Sequence, residues 1–234
     1  MRPGRAILLS AGFGTRMGEL TRECPKPLLP VAGQPLIDHG LDRLQAAGVG
    51  EVVVNLHYLG DMIRAHLASR ATPRVTFSKE ETLLDTGGGI VKALPLLGPE
   101  PFFAINSDSI WTGPDPLATL RTAWRPEMGA LLLLVRRENA RAYTRAGDFL
   151  LGDGGRPVRR GTAPDAPYVY TGAQIIAPAA FDAAPDGPFS TNVIWDRLLS
   201  AGRLYAVVHE GGWVDVGTPA GLAEADRAVA GDAP

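Results

Sequence analysis

Ala6-Ile7-Leu8-Leu9-Ser10-Ala11-Gly12-Phe13-Gly14-Thr15-Arg16-Met17 decides the fold, because a run of apolar residues passes directly into a loop with two glycines. Residues 6–9 read as a buried first strand, and the loop stands where a strand hands over to a helix. Working outward, Ile37, Leu41 and Leu44 recur at spacings of four and three, one face of a helix that Gly48 ends. Strands are expected over 52–54 and 75–77, with a short helix over 59–67 between them. The Thr86-Gly87-Gly88-Gly89 run opens another helix, and residues 102–105 form a strand that stops at Asn106-Ser107-Asp108. Residues 130–135 are wholly apolar, which suits a strand covered on both faces and places the middle of the sheet there.

Beyond about residue 136 the pattern loosens. Residues 137–167, rich in Gly, Pro and Arg, read as a substrate flap with short strands near 148–151 and 157–159. Strands over 168–176, 204–208 and 213–216, and helices over 193–199 and from Pro219 onward, complete the chain. Such alternation predicts an α/β fold, a Rossmann-like three-layer sandwich around a mixed, mainly parallel sheet. With no internal repeat and no linker-like stretch, residues 1–234 are expected to form one domain.

Composition narrows the function classes. Apolar residues make up 45% and charged residues 21%, a globular balance that favours neither disorder nor a membrane protein. The net charge of -2, with scattered basic residues, gives no footprint for nucleic acid and leaves a small anionic substrate open. Cys24 stands alone and no signal-like apolar run opens the chain, so the cytoplasm is expected. His39, His57, His66 and His209 lack ligand-like spacing to one another or to Cys24, which argues against zinc.

The glycine loop is of nucleotide type, since glycines let the backbone approach a ligand while N–H groups point at phosphate. Ala11, Gly12, Gly14 and Thr15 are therefore candidate nucleotide contacts. A P-loop would need Gly-Lys-Ser/Thr, and a dinucleotide fingerprint would need Gly or Ala where Met17 stands. Instead Arg16 closes the loop and Lys26 follows between two prolines, and a pair of cations beside such a loop suits a triphosphate.

LLSAGFGTRM over 8–17, followed by PKPLLPVAGQPLI over 25–37, resembles the signature of the sugar-nucleotide pyrophosphorylases. The likeness continues through TGGGI at 86–90, NSD at 106–108 and WVDVGTP at 213–219. Within that family the chain is most similar to the short bacterial N-acetylmuramate 1-phosphate uridylyltransferases. The resemblance implies transfer of a nucleoside monophosphate, UMP from UTP, to a sugar 1-phosphate with release of pyrophosphate. Arg16 and Lys26 would be catalytic, and Asp108 and Asp215 would hold Mg2+, a hard ion that takes few protein carboxylates alongside substrate phosphates. Gly87 and Gly88 would contact the nucleotide; Glu80, Asn106, Thr171 and Gly172 would contact the sugar. The family often places a second lysine on the acceptor phosphate, yet no lysine follows Lys92, so Arg159 or Arg160 is the expected substitute. Ser107 departs from the usual glycine between the asparagine and the aspartate.

Trp213 is expected to anchor the strand that carries Asp215 rather than to stack on a base. The partners implied are a nucleoside triphosphate and a sugar 1-phosphate, with no nucleic acid or membrane, and the expected state is a monomer or weak dimer. Mannose 1-phosphate guanylyltransfer, glucose 1-phosphate nucleotidyltransfer and a non-catalytic nucleotide-sugar sensor are the competing readings.

Overall fold

A computed structural model describes residues 3–231 of the chain. Its first half runs β1 (Arg5–Leu9), a small hairpin of β2 (Pro30–Val31) and β3 (Gln34–Pro35), α1 (Leu36–Ala46), β4 (Glu51–Leu56) and α2 (Gly60–Leu67). Then follow β5 (Arg74–Lys79), α3 (Asp85–Leu97), β6 (Phe102–Asn106), β7 (Ser109–Thr112), α4 (Pro116–Ala123) and β8 (Ala130–Arg136). The remainder is β9 (Ala140–Arg141), β10 (Phe149–Gly152), β11 (Arg156–Arg159), β12 (Tyr168–Ile176), α5 (Asn192–Ser200), β13 (Leu204–His209), β14 (Gly212–Asp215) and α6 (Pro219–Gly231).

The main sheet runs β5-β4-β1-β6-β12-β8-β13, with the β10–β11 hairpin joined to the other half of β12. The β1, β4, β5 and β6 pairings are parallel, as is β13 with β8, whereas β12 is antiparallel to both neighbours. The sheet is mixed and mainly parallel. Helices cover both faces: Ile37, Leu41, Leu44, Ile63 and Leu117 pack on one, and Ile90, Leu97, Ile194 and Leu198 on the other. Each such fully buried aliphatic side chain contributes about 1.5–3 kcal/mol. Gly48 ends the region after α1 with φ 76°, a left-handed turn that directs the Val49 amide back to the Leu44 carbonyl at 3.0 Å.

The strand over 130–135 is not central. It lies beside the edge strand β13, and β6 holds the middle. An apolar run reports cover on both faces rather than rank in the sheet: Leu131 and Leu133 face α4, while Ala130 and Leu132 face α5.

Two departures from regular pairing shape the site. Between Tyr170 and Gln174, β12 advances four residues while β8 advances from Leu134 to Leu132, so Thr171, Gly172 and Ala173 form a bulge. On the opposite edge of β12, β6 pairs only with residues 173–176 and β10 only with Tyr168, leaving a gap at the bulge. A second, small sheet β7-β14-β9 stands beside this gap, and α6 packs on it through Ala225 and Ala228. Among the described residues no helix is long and apolar enough to cross a membrane.

Candidate active site

The loop after β1 is held from behind. The Ser10 amide donates to Asn55 Oδ1 at 2.7 Å, and Asn55 Nδ2 donates to Glu80 Oε1 at 2.7 Å. Glu80 Oε2 accepts the Leu84 amide at 2.9 Å, so this one buried carboxylate fixes both the glycine loop and the approach to α3. Gly14 takes φ 66°, and a Cβ there would lie 3.0 Å from the Lys26 Cβ, a close approach that brings the lysine under the loop. Met17, which breaks the dinucleotide pattern, is 2% exposed and belongs to the small core below α6.

Two connected cavities open at the strand ends. One, about 430 Å³, is lined by Ala11, Gly12, Gly14, Thr15, Lys26 and Asp85 among others. Another, about 550 Å³, is lined by Arg145, Arg159, Arg160, Gly172, Trp195 and Asp215 among others. Leu9, Arg16, Thr86, Asn106 and Asp108 line both, so the two are lobes of a single cleft sharing a wall.

Charges converge on that wall. Lys26, only 9% exposed, donates from Nζ to Asp108 Oδ2. Asp215 is the register partner of Ser109 across β7 and β14, which sets it on the strand beside Asp108, and its Oδ2 lies 3.5 Å from Arg145 Nη2. The Arg16 guanidinium lies flat on Gly217, where a Cβ would come within 2.6 Å of it. Arg16, Lys26, Asp108 and Asp215 are thus brought to one cleft from four separate segments.

Other expected contacts lie elsewhere. Glu80 and Thr171 are buried at 2% and 0% exposure, and Thr171 Oγ1 donates to the Leu133 carbonyl at 3.0 Å. Neither faces a lobe. The Gly87 and Gly88 amides both donate to the Phe189 carbonyl, at 2.8 and 3.2 Å, so these donors are spent inside the protein. Both residues are buried, and a Cβ on Gly87 would meet Phe189 Cε2 at 2.3 Å. Gly172, in contrast, lines the larger lobe at φ 79°, and a Cβ there would strike Ser109 Oγ and Asn106 Nδ2. Trp213 is 5% exposed, pairs with Trp111 across the small sheet, and also borders the larger lobe. Within that lobe Tyr170 meets Trp195 edge-on with centroids 4.7 Å apart, and burial raises the Tyr170 pKa far above its ordinary value.

The family model for the MobA-like NTP transferase domain matches residues 6–231. The chain belongs to that family. This transferase is 42% identical to N-acetylmuramate alpha-1-phosphate uridylyltransferase of Caulobacter vibrioides, over 97% of its own length and 98% of the relative's. It is 39% identical to the enzyme of the same name from Neisseria meningitidis serogroup B, over 97% and 98% of the two chains. In fold it is similar to a UDP-glucose pyrophosphorylase crystallised with UDP-glucose, with TM-score 0.76 and 19% identity over 99% and 100% of the chains.

Several residues that line the transferase's cleft escaped the sequence reading. Asn55 and Asp85 border the smaller lobe, and Arg145, Asp148, Asn192 and Trp195 the larger. Asn55 sits at the C-terminal end of β4, an edge where polar residues on apolar strands are informative. Arg145 has no such signal, being one arginine among many in an irregular segment.

Proposed function

We propose that this transferase moves UMP from UTP to N-acetylmuramate 1-phosphate and releases pyrophosphate. The two relatives similar over nearly the whole chain carry that activity in their names. The observation that carries the reading is the shared wall: two lobes, each sized for one substrate, meet at Arg16 and Asp108. In this reading UTP occupies the smaller lobe and the sugar phosphate the larger.

An oxygen of the sugar phosphate attacks the α-phosphorus of UTP in line. A new P–O bond forms as the bond from the α-phosphorus to the bridging oxygen breaks, and pyrophosphate leaves on the opposite side. The attacking phosphate is already largely ionised near neutral pH, so no protein base is needed and no proton moves. Catalysis then consists of placing two anions together and balancing charge as it spreads to the leaving group. Arg16 and Lys26 hold the triphosphate, Lys26 from below the glycine loop. Gly12, Gly14, Ala11 and Thr15 let the phosphates approach the backbone, and Asn106 and Gly172 border the sugar. Glu80, Thr171, Gly87 and Gly88 act behind the wall, fixing the loop, the bulge and the start of α3.

Asp108 and Asp215 are the residues that would hold Mg2+. The donor set fits: Asp215 on β14 and Asp108, which directly precedes the paired strand β7, are two hard oxygen donors facing one cleft, and Mg2+ takes few protein carboxylates alongside substrate phosphates. When bound, the ion supplies Lewis-acid neutralisation of phosphate charge.

A matrix of nucleoside triphosphates against sugar 1-phosphates, followed by pyrophosphate release, tests the assignment. UTP with N-acetylmuramate 1-phosphate should give the highest kcat/KM. A higher value for GTP with mannose 1-phosphate would replace the reading, and no release with any pair would favour a nucleotide-sugar sensor. Asp108→Asn should abolish turnover at every Mg2+ concentration while circular dichroism stays that of the wild type.

A further inference from the structure

The acceptor phosphate must sit where the lobes meet, because its oxygen attacks a phosphorus held in the smaller lobe. The one cation on the shared wall among the described residues, Arg16, is engaged with the triphosphate in the function proposed above, on which this inference rests. A dianionic phosphate needs a further cation. Arg145, Arg159 and Arg160 line the larger lobe.

Two of these already spend their donors on the protein. Arg159 holds Asp196 Oδ1 through Nε at 2.9 Å and Nη2 at 2.8 Å, holds Asn192 Oδ1 through Nη1 at 2.9 Å, and lies 5.0 Å from the Phe149 ring. Arg160 donates to the Gly147 carbonyl at 3.1 Å and the Ala163 carbonyl at 2.8 Å. Arg145 is different. Its side chain is 63% exposed, its guanidinium carbon lies 4.8 Å over the Tyr143 ring, and its charged partner is Asp215 at 3.5 Å, beyond a good hydrogen bond.

We propose that Arg145 is the residue that binds the acceptor phosphate, exchanging the Asp215 carboxylate for it. A cation that reaches Asp215 already stands at the seam, since Asp215 pairs with Ser109, the neighbour of Asp108. The platform beneath it is fixed: Tyr143 donates its hydroxyl to Asp148 Oδ1 at 3.3 Å and rests against Trp213 with centroids 6.2 Å apart. A guanidinium stacked on a fixed ring turns with little loss of contact, and its planar fork matches two phosphate oxygens at once.

The test compares Arg145→Ala, Arg145→Lys, Arg159→Ala and Arg160→Ala with wild type, using whichever sugar 1-phosphate the matrix identifies as turned over. Arg145→Ala should raise the KM for the sugar phosphate by about tenfold or more with the KM for UTP within about twofold, and Arg145→Lys should recover part of the loss. Calorimetric titration of N-acetylmuramate 1-phosphate into the protein without nucleotide should show a matching loss of affinity, and this arm needs no turnover. Unchanged acceptor affinity in Arg145→Ala, with the loss falling on Arg159→Ala or Arg160→Ala, overturns the proposal. Absence of turnover of N-acetylmuramate 1-phosphate by wild type would instead count against the proposed acceptor, because the Arg145 contact is to the phosphate that all these sugars share.

Discussion

Gly217 illustrates how a single residue without a side chain positions one with a charge. A methyl group there would lie 2.6–2.7 Å from three atoms of the Arg16 guanidinium, the free end of a flexible side chain. Gly217→Ala is therefore expected to fold normally, with Tm within a few degrees of wild type, while the displaced arginine raises the KM for UTP several-fold in steady-state assays. Lys26 offers the converse case. Its Asp108 partner keeps 31% side-chain exposure, so the carboxylate left by Lys26→Ala remains solvated and circular dichroism should be unchanged. Pyrophosphate release should nonetheless fall by roughly a hundredfold or more; near-normal release from a folded variant would remove Lys26 from the mechanism. At this scale the sequence read well wherever a residue type sat at a recognisable junction. Arg16, Asp108 and Asp215 stand in the glycine loop or at a strand end, Lys26 follows the loop between two prolines, and all four line the cleft. Glu80 and Thr171 were expected from the resemblance to contact the sugar, but a motif does not say which way a side chain points, and both turn inward to hydrogen-bond the protein.

Among the elements, α3 shows why a glycine-rich helix start need not bind a ligand. The segment through Phe189 crosses its first turn, takes the Gly87 and Gly88 amides on one carbonyl and leaves no room for a Cβ on Gly87. Such an arrangement satisfies helix-end donors without an anion. Gly87→Ala is expected to destabilise the fold by about 1–3 kcal/mol, seen as a lower midpoint in urea unfolding, because Phe189 and its backbone must move. An unchanged midpoint with a large rise in the KM for UTP would restore the glycine to the nucleotide pocket. The strands over 6–9, 52–54 and 102–105 were legible because buried parallel strands are apolar throughout, those over 75–77 and 168–176 because β-branched and aromatic residues recur in them, and the observed bounds differ by at most two residues at an end. β7 and α4 were not noticed. β7 is only four residues long and follows the Asn106-Ser107-Asp108 turn directly, whereas α4 carried a plain start signal: Asp115 caps it, accepting the Leu117 amide at 2.8 Å, and Pro116 opens it. The rank of β8 was misjudged because hydrophobicity records cover, and two helices can cover a strand one place from the edge.

For the molecule as a whole, His209 ties the main sheet to the small one. It ends β13, is 0% exposed, and its Nε2 donates to the Thr112 carbonyl of β7 at 3.0 Å. Burial lowers its pKa below the ordinary 6.5; the Thr112 contact opposes the shift, nearby Arg43 adds to it and Glu210 opposes it. Because the folded pKa is the lower one, the unfolded chain binds more protons between the two values, and stability is lost as pH falls through about 6.5. Tm should accordingly drop between pH 7 and 5.5, and His209→Gln should flatten that slope. Glu51, held below 4.5 chiefly by the Arg74 hydrogen bond, contributes only in more acidic solution and leaves this window clear. The joint between the sheets has a further meaning. Asp215 lies on β14 and Asp108 directly before its partner strand β7, whereas the larger lobe takes much of its lining from the β10–β11 hairpin, the irregular segment before it and α5. In the function proposed above, reactivity and selectivity therefore occupy separately exchangeable parts. A chimera that receives residues 142–163 from a transferase of different taste should accept the donor's sugar at close to the parent's turnover number, with its specificity retooled and its chemistry inherited intact.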